Sequence, residues 1–146
     1  MREDYASKNV YWLLIQVASR AKHGLMRLAE KHDLTMVQLH TLGIMKPGEP
    51  LRMNMISCIL LCDASNVTGI VDRLLAHGYI VREEMPEDRR VKMISLTPKG
   101  EMLRRKLFEE MAEYEMPEFK RLSEHQKISL HQILSVILEP PHDVKC

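Results

Sequence analysis

Residues 63–97 of this chain have the sequence DASNVTGIVDRLLAHGYIVREEMPEDRRVKMISLT. Apolar residues recur along the first half of the stretch at the spacing of one helical face, which predicts a helix from Asp63 to His77. Asp63 is suited to cap the start of this helix, and Gly78 supplies a left-handed residue after its end. The residues predicted to face the core are Val67, Ile70, Val71 and Leu74.

Two short apolar runs follow this helix, at residues 79–84 and 91–96, with the polar sequence MPEDRR between them. Their β-branched residues predict two antiparallel strands joined by an exposed loop, which together form a wing. On the other side of the helix, Asn54 is suited to cap a short helix that runs to about Leu61. Two helices separated by so tight a turn predict a helix-turn-helix.

Long helices are predicted on the N-terminal side of this unit. Apolar residues at helical spacing run over residues 10–28, and this helix is expected to end near His32. Thr35 and Gln38 match a capping box, in which each side chain satisfies a backbone N–H of the first turn, so a second helix begins there. Pro47 ends it.

Two further helices are predicted on the C-terminal side. Thr97 precedes a proline at the first helical position and begins a long charged helix, which Pro117 should kink or end. Ser123 and Gln126 repeat the capping box before an apolar helical pattern that runs to Leu138. The predicted fold is therefore mainly α with a small antiparallel β-wing, a winged helix-turn-helix lobe flanked by N- and C-terminal helices.

The composition is that of one globular domain. The chain has 146 residues, of which 45% are hydrophobic and 28% are charged, and its formal net charge is +1. It contains no apolar run near the roughly 20 residues of a membrane span and no signal-peptide pattern at its start, so we expect no membrane association and a cytoplasmic location. Its three cysteines are an odd number, and reduced thiols are the expectation.

The outward face of the predicted helix at residues 63–77 carries the first candidate site. An asparagine can pair with adenine, and short hydroxyl side chains can bond to bases or phosphates, in the part of a recognition helix that enters the major groove. Gly69 costs about 1 kcal/mol of helix stability relative to alanine, which indicates a close approach of DNA to the backbone. A polar outer face is also usual for any soluble helix. The candidate residues are Ser65, Asn66, Thr68, Gly69 and Arg73.

The tip of the predicted wing carries the second candidate site, formed by Asp88, Arg89 and Arg90. A narrow minor groove concentrates negative potential and attracts an inserted arginine, while a neighbouring carboxylate can hold the guanidinium in position. The alternative is an ordinary solvated turn. The helix and the wing together favour binding to double-stranded DNA.

At this point the sequence resembles the MarR family of winged-helix regulators, and the resemblance covers essentially the whole chain in element order. The motifs that carry it are DASNVTGIVDRL at 63–74, HGY at 77–79, PEDRR at 86–90, LTPKG at 96–100, and Leu34-Thr35 with Gln38.

The resemblance implies one MarR-like domain over residues 1–146, with a DNA-binding lobe at 34–97 and dimerisation helices at 1–33 and 98–146. It implies a homodimer that binds a pseudo-palindromic operator and commonly represses transcription until a small phenolic ligand or an oxidant intervenes. It also places Arg90 in the minor groove, with Asp88 as the supporting carboxylate, and Arg73 near the surface of the lobe. Cys58 and Ile59 depart from the family, because they stand at third-helix positions that are usually charged.

The other features of the sequence have weaker functional readings. Cys58 and Cys62 could share a helix face and Cys146 lies at the end of the chain, but packing is favoured over a redox switch. No zinc-like histidine cluster, phosphate loop or nucleophile motif is present, so we expect no metal, no cofactor and no enzymatic activity. Two alternatives remain open: a protein-interaction module that uses the apolar third helix, and a ligand or redox sensor within the same regulator.

Overall fold

The computed structural model of the chain describes residues 2–60, 63–114 and 116–138, which include six α-helices and three strands. Leu61, Cys62 and Cys146 lie outside the described residues. The helices are α1 (Arg2–Lys31), α2 (Met36–Ile44), α3 (Met53–Leu60), α4 (Ala64–Ala76), α5 (Pro98–Glu113) and α6 (Glu124–Leu138), with a 3-10 turn at Phe119–Arg121, and the strands are β1 (Leu51–Arg52), β2 (Ile80–Glu84) and β3 (Lys92–Leu96).

The predicted fold class is confirmed, since a mainly helical chain carries one small antiparallel sheet. Its strand order is β1-β3-β2, and β2 pairs with β3 from Ile80 opposite Leu96 to Glu84 opposite Lys92. Strand β1 was not predicted. Its two residues lie opposite Met93 and Ile94, and this long-range pairing leaves no periodic pattern in so short a stretch.

The core of the winged-helix lobe forms where α4 packs against α2, α3 and the sheet. Val67, Val71 and Leu74 of α4 are buried as predicted, and Ile70 packs partly buried against them. Gly78 has a φ of +72°, the left-handed conformation that the sequence predicts after α4. The inward face of α4 is thus fixed by burial, which leaves its polar face outside.

Three predicted helix boundaries move. Helix α1 extends back to Arg2, and α3 begins at Met53, so Asn54 lies inside the first turn and is not its cap. The shift arises because β1 ends at Arg52 and the helix follows it directly, two residues earlier than a cap at Asn54 predicts. Helix α5 ends at Glu113, before Pro117 is reached, and the next residue, Tyr114, has left the helical conformation.

The terminal helices have a large apolar surface that no other described residue covers. The exposed large apolar side chains of α1 lie mostly between residues 10 and 17, and those of α6 lie along most of its length. Trp12 is 59% exposed and Leu138 is 78% exposed, values far from those of core residues. The exposed large apolar residues of these helices are Val10, Tyr11, Trp12, Leu13, Leu14, Ile15, Val17 and Met26 of α1 and Ile128, Ile133, Val136, Ile137 and Leu138 of α6.

Candidate nucleic-acid interface

Helix α4 presents all five residues predicted for its outer face to solvent. Ser65, Asn66, Thr68, Gly69 and Arg73 are each exposed. Asp63 occupies the N-cap position with extended backbone, although its side chain makes no capping hydrogen bond. The first turn of α4 therefore has no such acceptor from Asp63, and anions are favoured at a helix N-terminus of this kind.

Gly69 stands in open space. A β-carbon built on it would have no heavy atom of the protein within 4 Å, apart from its own helix. No contact among the described residues therefore requires a glycine here, although glycine lowers the stability of the helix relative to alanine.

A groove runs between α4 and the first turn of α2, with a volume of about 360 Å³. Ser65, Asn66, Gly69 and Arg73 line its α4 side, whereas Thr68 does not line it. The α2 side of this groove was not among the residues predicted from the sequence to contact DNA. Its residues are Thr35, Val37 and Gln38.

The capping box predicted at the start of α2 is confirmed and gives this side of the groove its shape. The Thr35 N–H donates to Oε1 of Gln38 at 2.7 Å, and the Gln38 N–H donates to Oγ1 of Thr35 at 3.3 Å. The capping signal located the helix start, but only the packing of α2 beside α4 makes it a groove wall.

The wing orders its tip through Asp88 and Arg90. Nε of Arg90 donates to Oδ1 of Asp88 at 3.0 Å and Nη2 donates to Oδ2 at 3.2 Å, so the guanidinium is held by both carboxylate oxygens. The Arg90 side chain is nevertheless 92% exposed. The backbone N–H of Arg90 also donates to Oδ1 of Asp88 at 3.0 Å. The side-chain hydrogen bonds, followed by this backbone hydrogen bond, hold the pKa of Asp88 below its ordinary value. A charged guanidinium is thus presented to solvent in a fixed orientation.

Two arginines of the candidate sites have no counter-ion within the described part of the protein. Arg73 on α4 and Arg89 at the wing tip are exposed, and their side chains make no hydrogen bond or ion pair with another described residue. Exposed arginines without an internal partner suit phosphate or base recognition.

Contacts at the base of the wing fix it to the end of α4. Nη1 of Arg82 on β2 lies 3.3 Å from Oδ1 of Asp72 on α4. At the start of α5, Oγ1 of Thr97 donates to the carbonyl of Gly78 at 2.7 Å. Nζ of Lys99 donates to the carbonyl of His77 at 2.7 Å. Helix α4 and the wing are therefore joined into one structural unit.

A comparison with known families identifies this unit. A model of the MarR family matches residues 34–92, which include α2, α3, α4 and the tip of the wing. Over this segment the chain is similar to the MarR family. The match ends near the start of β3, so it covers the surfaces that carry Asn66 and Arg90.

Individual relatives agree with the MarR assignment. The transcriptional repressor IacR of Pseudomonas putida is 29% identical over 127 residues, which are 87% of this chain and 75% of IacR. A MarR-family regulator from Rhodococcus sp. RHA1 has a TM-score of 0.81 at 21% identity, over 92% of this chain and 96% of that one. A point mutant of MepR from S. aureus, solved bound to an oligodeoxyribonucleotide, has a TM-score of 0.61 at 25% identity, over 88% of this chain and 95% of that one.

Residues 34–92 are thus similar to the MarR family, and the relatives found are HTH-type transcriptional regulators rather than enzymes. Among the described residues, no group of three or more His, Cys, Asp or Glu side chains could hold a metal ion.

A membrane-spanning segment requires a long and apolar helix. No single helix in the described part of the chain is long and apolar enough to cross a membrane, although α3 and α4 together pass by length and composition as a pair bent by 115°. Ile56, Val67, Val71 and Leu74 of this pair are buried in the lobe, and this core packing accounts for its apolar character.

The expectation of reduced thiols is wrong for Cys58, which is disulfide-bonded in the structure. That expectation came from the number of cysteines and the start of the sequence, which carry no information on which sulfur atoms lie side by side. Cys62 and Cys146, for which the same prediction was made, lie outside the described residues. Ile59, the other unusual residue of α3, is 43% exposed.

Proposed function

We propose that this MarR-family regulator binds a pseudo-palindromic operator in double-stranded DNA as a homodimer and represses transcription until a small-molecule effector releases it. The observation that carries the proposal is the exposed Arg90 guanidinium, ordered by Asp88 on a wing that Arg82 ties to the recognition helix. The repressor named among the relatives and the MepR complex with an oligonucleotide support the same reading.

In this proposal α4 enters the major groove with its N-terminal half. Asn66 reads a base edge, Ser65 and Thr68 bond to bases or phosphates, and Gly69 lets the DNA approach the helix backbone. Arg73 and Arg89 contact phosphates, because each is exposed without a counter-ion in the described fold. Arg90 enters the minor groove, and Asp88 keeps it oriented.

The homodimer is supported by the uncovered apolar faces of α1 and α6. Exposed apolar surface on this scale marks an interface, and a second copy of the chain offers a matching surface under two-fold symmetry. We therefore assign residues 1–33 and 98–146 to dimerisation and residues 34–97 to the DNA-binding lobe. The two recognition helices would then meet half-sites about 34–36 Å apart, one turn of DNA.

The effector would bind in a cavity of about 330 Å³ between α1, α2 and α5. The cavity has an apolar lining, with Met36, Leu39 and Phe108 among its residues, and Arg104 and His40 are its polar groups. Nε of Arg104 is buried and has no hydrogen-bond partner among the described residues. An unsatisfied buried donor in an apolar cavity suits a phenolic or other aromatic molecule that carries an oxygen acceptor.

The cavity is also placed where it could change DNA binding. Its α2 wall continues into the helix whose first turn faces the recognition helix across the groove at Gln38. A ligand that binds more tightly when the lobes are misplaced for DNA would lower the affinity for the operator. A regulator of chromosomal operators acts in the cytoplasm, which is our proposed location.

The deciding experiment is selection of tight binders from a randomised duplex pool, followed by fluorescence anisotropy across salt concentrations and sedimentation of the free protein. We expect an enriched palindrome, an affinity that falls steeply with salt, and a dimer. Absence of any duplex binding at low salt would contradict the proposal and favour a protein-interaction module at the surface around Ile59. If phenols, aromatic carboxylates and oxidants all left the operator affinity unchanged, this would contradict the effector part of the proposal.

A further inference from the structure

A basic hollow of about 320 Å³ lies between the wing and the start of α3, outside the residues that the sequence assigns to DNA contact, apart from Arg90. Strand β1, the first turn of α3 and the C-terminal end of the wing form its walls. Its lining residues are Arg52, Met53, Asn54, Arg90, Val91 and Lys92, and none of them is acidic.

The basic residues of the hollow differ in whether their side chains have an ion-pair partner. Lys92 is ion-paired with Glu84 and Arg90 with Asp88. Arg52 is exposed, and its side chain makes no hydrogen bond or ion pair with any described residue. Its positive charge is therefore available to a ligand, since no described residue neutralises it.

The position of Arg52 does not depend on a ligand. Strand β1 pairs with β3, with Arg52 opposite Met93, so the backbone that carries the guanidinium is fixed by the sheet. Asn54 follows within the first turn of α3 and is exposed, with an amide group directed to neither a cap nor a described partner. A guanidinium and an amide on one rigid wall match the acceptor oxygens of a phosphate.

We infer that the basic hollow binds one phosphate of the DNA backbone, with Arg52 as its main ligand and Asn54 beside it. The inference rests on the proposed function. A minor groove is about 6 Å wide, so a group that adjoins an arginine inserted in the groove meets the phosphates along its edge. Arg90 lines the basic hollow, which puts Arg52 beside the groove that the wing enters.

The test compares Arg52→Ala and Arg52→Lys with Arg105→Ala, a control that removes one exposed arginine whose side chain has no partner among the described residues. Arg105 lies in α5, outside the exposed apolar faces of α1 and α6 that carry the proposed dimer, and sedimentation of each variant verifies that it is still a dimer. Each protein is titrated with the selected operator and with an unrelated duplex across salt concentrations. A second set of operators carries a neutral methylphosphonate at one backbone position at a time. Thermal unfolding of each variant verifies that the fold is retained.

We expect Arg52→Ala to weaken binding to both duplexes to a similar extent, by roughly three- to tenfold at moderate salt. The magnitude of the slope of log K against log salt should fall by about 0.9. Arg52→Lys should recover part of the affinity, and Arg105→Ala should match the wild type. One methylphosphonate position should weaken the wild type but not Arg52→Ala, which locates the contacted phosphate.

An Arg52→Ala protein with the affinity and slope of Arg105→Ala would overturn the site while leaving the proposed function in place. A loss confined to the selected operator would also overturn it, because a phosphate contact carries no sequence preference. A wild-type protein that binds neither duplex would overturn the proposed function itself, and with it this contact.

Discussion

Arg82 of β2 donates a hydrogen bond to Asp72 of α4, with 3.3 Å between Nη1 and Oδ1, and so joins the wing to the recognition helix. Both side chains are about half exposed, so the pair contributes at most about 1 kcal/mol to folding. Its greater effect is on geometry, because it holds at one angle the two elements that the proposed function places in neighbouring DNA grooves.

The first prediction follows from this pair. Asp72→Asn should lower the free energy of unfolding by no more than about 1 kcal/mol but weaken operator binding severalfold, since a neutral amide holds Arg82, and with it the wing, less firmly than the carboxylate does. Urea unfolding and anisotropy measure the two effects. In a double-mutant cycle with Arg82→Gln the effects on affinity should be non-additive, and strict additivity would show that the pair does not couple the two elements.

The second prediction concerns the wing tip. Arg90→Ala should weaken binding by roughly 1–3 kcal/mol, and Asp88→Asn by less, because the asparagine can no longer accept from the guanidinium at two charged oxygens. Anisotropy titrations of both variants with one operator measure the order. An Asp88→Asn protein that binds as well as the wild type would show that Arg90 needs no support.

The third prediction concerns base reading. Asn66→Ala should relax the preferred base at one position of each half-site and cost roughly 1–3 kcal/mol on the selected operator. Repeating the duplex selection with the variant measures the preference directly. Arg90→Ala is the comparison, since it should weaken many sequences alike, and an unchanged preference in the Asn66 variant would contradict the assignment.

The fourth prediction separates stability from binding at Gly69. Gly69→Ala should stabilise the fold by up to about 1 kcal/mol, because the new methyl group meets open space in a helix, yet weaken DNA binding by blocking the approach of the backbone. Gly43→Ala is the control, a helical glycine of α2 where an added β-carbon likewise meets no heavy atom within 4 Å. It should leave affinity unchanged. Because Gly43 lines the proposed effector cavity, the comparison is made without effector. If Gly69→Ala bound DNA as tightly as the wild type or more tightly, this would contradict the proposed close approach of DNA to the helix backbone.

The fifth prediction concerns pH and the junction of α1 with α5. Oε2 of Glu110 accepts from Nζ of Lys31 at 2.8 Å and Oε1 lies 3.2 Å from Nε2 of His32. The hydrogen bond from Lys31 is the main cause that holds the pKa of Glu110 below its ordinary value. A carboxyl with a lowered pKa in the folded state stabilises it above the ordinary pKa, and this contribution disappears as the pH falls through the lowered value.

Glu110→Gln should therefore be less stable than the wild type near pH 7, and the difference should shrink in acid. Urea unfolding at pH 7 and at about pH 3.5 measures the two gaps. Glu109→Gln, an exposed neighbour on α5, is the control and should show little difference at either pH. A gap that is constant with pH would show that the charge of Glu110 does not stabilise the junction.

The sequence by itself determined the elements whose signals are local. The apolar face of α4, the left-handed Gly78, the capping boxes at Thr35 and Ser123 and the outward position of Asn66 all follow from spacing within a few residues. Such signals survive in a single sequence because each residue acts on its own helix or turn.

Only the tertiary structure decided which of these elements meet. The pairing of Arg52 with Met93, the tie between Asp72 and Arg82 and the groove between Gln38 and Asn66 join residues that are distant along the chain. Their positions depend on how helices and strands pack around a shared core, and no periodic pattern encodes that arrangement. The basic hollow beside the wing is therefore a product of packing, because its walls come from elements that the sequence presents separately.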